Sequence, residues 1–268
     1  MYPTLFRIGN FEITTFGAMV AIAALIGIWL FGREAERSGL PSTAADAAIA
    51  GVIGGLIGAK LVWAIEFRNE GPFFSLFLSR GGLSWFGGFA GGVGTGLFVL
   101  RRQRVPLLAA LSAAAPALAI GHAIGRIGCF LVGDDYGRAT DLPWAVAFPR
   151  GLPPTLERVH PTQLYEMAGL LPIAWLLLRW RRAGAADAVV FGRYLVLAGT
   201  PRFFIEFIRV NRAVLGPFTV AHLISMCVIF LGLALLFSSR LRASRSQLAI
   251  EPASRPSRSR TRVTRRRS

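Results

Sequence analysis

Seven long apolar stretches, at 11–31, 47–66, 84–100, 107–124, 161–178, 188–205 and 218–237, take up most of the chain, and the polar residues gather between them. About 20 apolar residues in a helix span the roughly 30 Å hydrocarbon core of a bilayer. A helix also satisfies its own backbone hydrogen bonds, which lipid cannot do. The pattern predicts an all-α, polytopic membrane protein with about seven transmembrane helices and an arm region at its outer face. The first stretch is too long, and too lightly charged at its front, for a cleaved signal peptide, and no small-residue cleavage site follows it.

Arginine placement orients the spans. Arg33 and Arg37 follow the first stretch; Arg101, Arg102 and Arg104 the third; Arg179, Arg181 and Arg182 the fifth. Ten more arginines, from Arg240 to Arg267, follow the seventh, opposed only by Glu251. With seven crossings all of these share one side, which the positive-inside bias makes the cytoplasm. The N-terminus then lies outside and the C-terminus inside. The chain divides into a transmembrane domain at 1–239 and a basic Ser/Arg/Pro-rich cytoplasmic tail at 240–268, predicted to be disordered.

Composition sharpens the class. Hydrophobic residues make up 53% of the 268 and charged ones only 16%, where a soluble domain carries about a quarter. The net charge of +16 does not by itself imply nucleic acid, because much of it sits in the tail. No nucleic-acid-binding domain is legible, and the inner arginines suit anionic lipid headgroups. Cys129 and Cys227 are too few for a disulfide framework and too far apart for a zinc site.

Some arginines break the topology rule. Arg126, Arg138, Arg150, Arg158, Arg202, Arg209 and Arg212 fall on the outer side or at its boundary. Cations kept against that bias point to an anionic ligand. Glycines mark a second pattern: Gly51, Gly54, Gly55 and Gly58 in the second stretch, and a crowd from Gly81 to Gly96 around the third. Small residues four apart let membrane helices approach closely. The 81–88 cluster is predicted to break a helix where backbone amides face a ligand.

Four polar segments reach the outer ends of the stretches: Arg-Gly-Gly-Leu-Ser-Trp-Phe-Gly-Gly at 80–88, the run from Gly121 to Gly137, His-Pro-Thr-Gln-Leu-Tyr-Glu at 160–166, and Arg-Phe-Phe-Ile-Glu-Phe-Ile-Arg at 202–209. Their meeting at one membrane depth predicts a site there. Glu206 stands four residues after Arg202 and three before Arg209, so it neighbours both on a helix. Arg126, read as the end of the fourth span, offers a planar fork of donors suited to a phosphodiester. His122 lies one turn earlier on the same face, where a neutral imidazole serves as a general base. Asp134 and Asp135 read as a turn able to orient arginines, and adjacent aspartates alone do not make a metal site. The connection at 138–160 reads as amphipathic, lying in the headgroup layer.

Together these motifs resemble one family, the prolipoprotein diacylglyceryl transferases of the bacterial inner membrane. The resemblance rests on Gly-Gly-Leu-Ser-Trp-x-Gly-Gly at 81–88, Gly-Arg-Ile-Gly at 125–128 with Tyr136-Gly137, the 160–166 motif, and Arg-x-x-x-Glu-Phe-x-Arg at 202–209. It covers about 10–237. It implies transfer of the diacylglyceryl group of phosphatidylglycerol to the lipobox cysteine of a prolipoprotein signal peptide. A thioether forms, glycerol 1-phosphate leaves, and neither cofactor nor metal is needed. Arg126 and Arg202 match the family's essential arginines, with His122 and then Glu206 as candidate bases. Gly87, Gly88, Gly128, Gly137, His160, Tyr165 and Arg209, which lie in the matching motifs, join the two arginines as candidate substrate-binding residues.

The chain departs from the family pattern at four places. Phe86 stands where histidine or tyrosine is common, Cys129 where asparagine is, Phe16 in place of a tyrosine, and Ala198 near the position of another. These losses of polar groups leave two alternatives open: a diverged relative using another lipid or acceptor, and a non-enzymatic membrane lipid-binding protein.

Overall fold

A computed structural model describes residues 2–9, 11–79 and 82–250. Seven long helices form over the seven apolar stretches: α1 (Thr15–Arg37), α2 (Ala44–Glu66), α4 (Trp85–Arg102), α5 (Leu107–Val132), α6 (Thr162–Arg182), α7 (Asp187–Glu206) and α8 (Val220–Ile250). Five of them (α1, α2, α5, α7 and the 220–242 part of α8) are long and apolar enough to cross a membrane. The other two expected spans fall short for local reasons. Helix α4 has only 18 residues, six of them glycine, and ends in Arg101 and Arg102. Helix α6 begins with Gln163 and Glu166 near its first turn and ends in three arginines. The expected disordered tail begins inside α8, and its residues 251–268 lie outside the described residues, as do Arg80 and Gly81.

Four local differences reshape the bundle. The first span begins later than its apolar stretch, because β2 (Phe11–Thr14) pairs antiparallel with β1 (Thr4–Ile8). Thr14 then caps α1 by accepting from the Gly17 amide at 3.1 Å. Helix α5 runs past the predicted end at 124, so Arg126 lies within it rather than at its end. The helix stops where Gly133, at φ 75°, adopts the left-handed conformation that glycine accepts without penalty. A short helix α3 (Phe73–Leu78) follows α2. The predicted headgroup-layer arm contains a second hairpin, β3 (Val146–Phe148) with β4 (Thr155–Val159).

Close helix contacts follow the glycines. Helices α2 and α4 meet along Gly54, Gly58, Gly87 and Gly91, where an added Cβ on Gly87 would fall 2.2 Å from the Gly58 carbonyl oxygen. Helices α7 and α8 meet at Gly192, Gly199 and Gly232. Helix α5 is central, packing against α1, α6 and α7.

The two ends of the bundle differ chemically. At one end the Tyr2 amide donates to Leu131, tying the N-terminus to the end of α5. At the other, buried Glu34 of α1 pairs with Arg181 of α6 at 3.0 Å, and Arg181 also donates to Ser112 of α5 at 2.6 Å. The start of α5 and the ends of α1 and α6 therefore share the arginine-rich end. The end of α5, the start of α6 and the end of α7 share the opposite one.

Candidate active site

Three helices and two loops bring the site together at the end opposite the arginine-rich turns. Three glycine-punctuated turns of α5 carry His122, Arg126 and Cys129. The first turns of α6, after Pro161, carry Gln163 and Glu166, and the last turn of α7 carries Arg202 and Glu206. A narrow cleft between these helices is lined by His122, Glu166, Gly169, Leu170, Ile173, Ala198, Pro201 and Arg202.

The charges form one connected cluster. Glu166, 4% exposed, lies 2.7 Å from Arg126 Nε, 3.5 Å from Arg209 Nη1 and 3.6 Å from His122 Nε2. Arg126 Nη1 reaches Asp135 at 2.9 Å, and Arg209 Nη2 reaches the other Asp135 oxygen at 2.5 Å. Arg202 Nη1 holds Glu206 at 2.5 Å. Carboxylates removed from water need such partners, and so do the arginines. Asp135 takes φ 60°, an uncommon conformation for a non-glycine residue but one aspartate tolerates, and there it bridges two arginines. Gln163 donates to the Asp134 carbonyl and Thr162 to that of Asp135 at 2.7 Å, fixing the turn to α6. Burial raises the Asp134 carboxyl above its ordinary pKa, against the opposing influence of Cys129 and the nearby arginines.

The predicted residues separate by position. Arg126, Arg202, His122 and Glu206 join the cluster, with Arg202 and His122 facing the cleft. The pairs described leave Arg126 Nη2, and Nε and Nη2 of Arg202, as donors for a further anion. Arg209 is 6% exposed and faces Asp135, Glu166 and Glu206, so it ties carboxylates together. His160 and Tyr165 form an outer chain: Trp144 Nε1 donates to the Tyr165 hydroxyl at 2.7 Å, which stands 3.2 Å from His160 Nδ1.

The four candidate glycines are taken up by packing. Gly87 abuts Gly58, Gly88 faces Ala59, Gly128 faces Met19 and Phe16, and Gly137 is wedged between the Ile208 carbonyl and His160. The Gly88 amide donates to Ser84 and the Gly137 amide to His160, so neither is open to a ligand. Within the 81–88 segment the Ser84 amide donates to Ala59 and the Gly88 amide to Ser84, while Trp85, Phe86 and Gly87 form the first turn of α4. Residues 85–88 are helical, and the bend falls at Gly82, whose φ of 74° goes with its close approach to the Trp63 ring.

The departures from the family pattern have distinct surroundings. Ala198 lines the cleft. Cys129 is buried, its Sγ 3.9 Å from Arg126 Nη1. Phe16 packs on Gly128, and Phe86 is exposed beside Trp85. Cys129, Asp134 and Asp135 gather within 4.8 Å, but both Asp135 oxygens already face arginines. The sequence suggests that Asp135 orients arginines and that Glu166 pairs with one, and both contact Arg126 and Arg209, but it gives no role to Thr219, Asn211 or His222. A histidine inside an apolar span was the available signal for His222.

Fold and cluster define a polytopic membrane protein with a buried arginine–carboxylate site at one end of its bundle. The chain belongs to the prolipoprotein diacylglyceryl transferase family, whose model matches residues 3–238. It is similar to the phosphatidylglycerol–prolipoprotein diacylglyceryl transferase of Geobacter sulfurreducens, with 33% identity over 249 residues, 87% of this chain and 93% of the relative. The enzyme of the same name from Vibrio vulnificus is 33% identical over 246 residues, 87% and 90% of the two chains. That of Vibrio cholerae is 31% identical over 256 residues, 90% and 92%.

Proposed function

We propose that this protein transfers the diacylglyceryl group of phosphatidylglycerol to the lipobox cysteine of a prolipoprotein at the outer face of the bacterial inner membrane. The observation that carries this reading is the cleft in which Arg202 and His122 stand with Glu166, itself paired to Arg126. A phosphodiester headgroup and a thiol make opposite demands, one for fixed cations and one for a proton acceptor, and this cleft offers both.

In the reaction a sulfur–carbon bond forms at the diacylglyceryl carbon and its bond to the phosphate oxygen breaks. Charge grows on the departing phosphate, and the free donors of Arg126 and Arg202 are placed to stabilise it. The thiol must lose its proton, because the thiolate is the nucleophile. Glu166 beside His122 Nε2 favours the ring proton on that nitrogen and leaves Nδ1 to accept the thiol proton. Glu206 holds Arg202 in place. The N-terminus and the site lie outside, with the arginine-rich ends of α1, α4, α6 and α8 in the cytoplasm. The basic tail at 240–268 follows the 1–239 transferase domain there and meets anionic headgroups.

Complementation tests this directly. Expressed in a bacterium depleted of its own diacylglyceryl transferase, the chain should restore growth and lipoprotein modification. An Arg202→Ala variant present in the membrane at equal level should not. Failure of the wild-type chain to rescue would contradict the proposal.

A further inference from the structure

Glu206 does more than pair with Arg202. Its Oε2 faces Arg202 Nη1 at 2.5 Å and Arg209 Nε at 3.8 Å. Its Oε1 accepts from Thr219 Oγ1 at 2.6 Å and from Asn211 Nδ2 at 2.8 Å. Thr219 immediately precedes α8, and its amide donates to Nδ1 of His222 at 3.1 Å. The His222 amide points back toward Thr219 Oγ1 at 3.4 Å. All three residues are almost fully buried, Glu206 at 2%, Thr219 at 6% and His222 at 1% exposed.

These contacts fix where each proton lies. The Thr219 amide occupies the one lone pair of Nδ1, so the neutral ring carries its proton on Nε2. Among the described residues that nitrogen is buried without a hydrogen-bond partner, and the ring sits among Phe203, Phe207 and Phe218 at centroid distances of 5.0, 4.4 and 5.5 Å. With Nδ1 taken and the His222 amide directed at Oγ1, the threonine hydroxyl proton is left for Glu206. An ordinary helix cap needs only an oxygen that accepts. Here the imidazole also aims the cap's own proton at the carboxylate that holds Arg202.

We infer that Thr219 and His222 are positioning residues for Arg202, carrying the start of α8 into the reaction through Glu206. This rests on the proposed transfer reaction, in which Arg202 meets the departing phosphate. Groups behind a site matter because small misplacements of the group in front cost rate.

The test uses the full chain in phosphatidylglycerol vesicles with a lipobox peptide. Thr219→Val keeps the volume and removes the hydroxyl. It should lower kcat by about tenfold or more, with a smaller change in KM for phosphatidylglycerol. Thr219→Ser should restore most of the rate. In a Glu206→Gln background Thr219→Val should cost much less, because the pair acts as one unit. His222→Phe should repeat the kcat loss and His222→Asn, which retains an acceptor near Nδ1, should relieve it. This second pair decides the matter if Thr219→Val does not fold. An active wild-type enzyme with unchanged kcat in Thr219→Val and His222→Phe would overturn the positioning role alone. A wild-type enzyme that transfers nothing would remove the reaction on which both claims rest.

Discussion

At the residue scale the account turns on His122. Its side chain is 44% exposed, opening onto the cleft, with Nε2 beside the buried Glu166 carboxylate. General-base assistance is worth about 10²–10⁴-fold. His122→Ala should therefore lower the transfer rate by at least about 10²-fold while leaving phosphatidylglycerol binding, which the arginines carry, near its wild-type value. Transfer kinetics alongside a lipid-binding assay check this, and near wild-type transfer would remove His122 from the role of base. The sequence made Arg126, Arg202, His122 and Glu206 legible because polar groups in apolar runs are conspicuous and helical spacing predicts neighbours. It could not show that Glu166 and Asp135 join arginines from different segments, since those contacts depend on how α5, α6 and the 207–218 loop meet. Thr219 and His222 escaped for the same reason, because their partner Glu206 lies on another helix.

At the scale of elements, apolar runs revealed the seven long helices but not their ends. Phe11–Thr14 alternates apolar Phe11 and Ile13 with polar Glu12 and Thr14 directly before the helix, and it pairs with Thr4–Ile8 as a strand. The apolar run ends at 124, just before Arg126, whereas Gly128 fits beneath Met19 and the helix continues to Val132 with Gly133 as its cap. Glycine motifs showed that helices approach closely, and the structure shows which faces meet. Gly87→Ala would place a Cβ 2.2 Å from a backbone oxygen of α2 and should destabilise the protein by about 1–3 kcal/mol, as overpacking does. Gly94, on the same helix with open space around it, should accept alanine with unchanged or slightly raised stability. Thermal unfolding of both variants in detergent distinguishes a packed seam from an exposed one. Equal behaviour would count against the α2–α4 contact.

At the scale of the molecule, the bundle separates two uses of arginine. One end gathers Arg33, Arg37, Arg101, Arg102, Arg179, Arg181 and Arg182, where the Arg181–Glu34 pair also locks three helices together. The opposite end keeps Arg126, Arg202 and Arg209, each matched to carboxylates. Composition alone could not distinguish these roles, because +16 is one number for both ends and the tail. The central claim is that the second group serves a phospholipid whose headgroup leaves as a phosphate. The most direct measurement is mass spectrometry of a lipobox peptide incubated with the purified full chain in phosphatidylglycerol vesicles, with glycerol 1-phosphate quantified in parallel. The account predicts one diacylglyceryl group joined through the cysteine sulfur for each glycerol 1-phosphate released. An unmodified peptide, or release of the phosphate without a thioether, would contradict it.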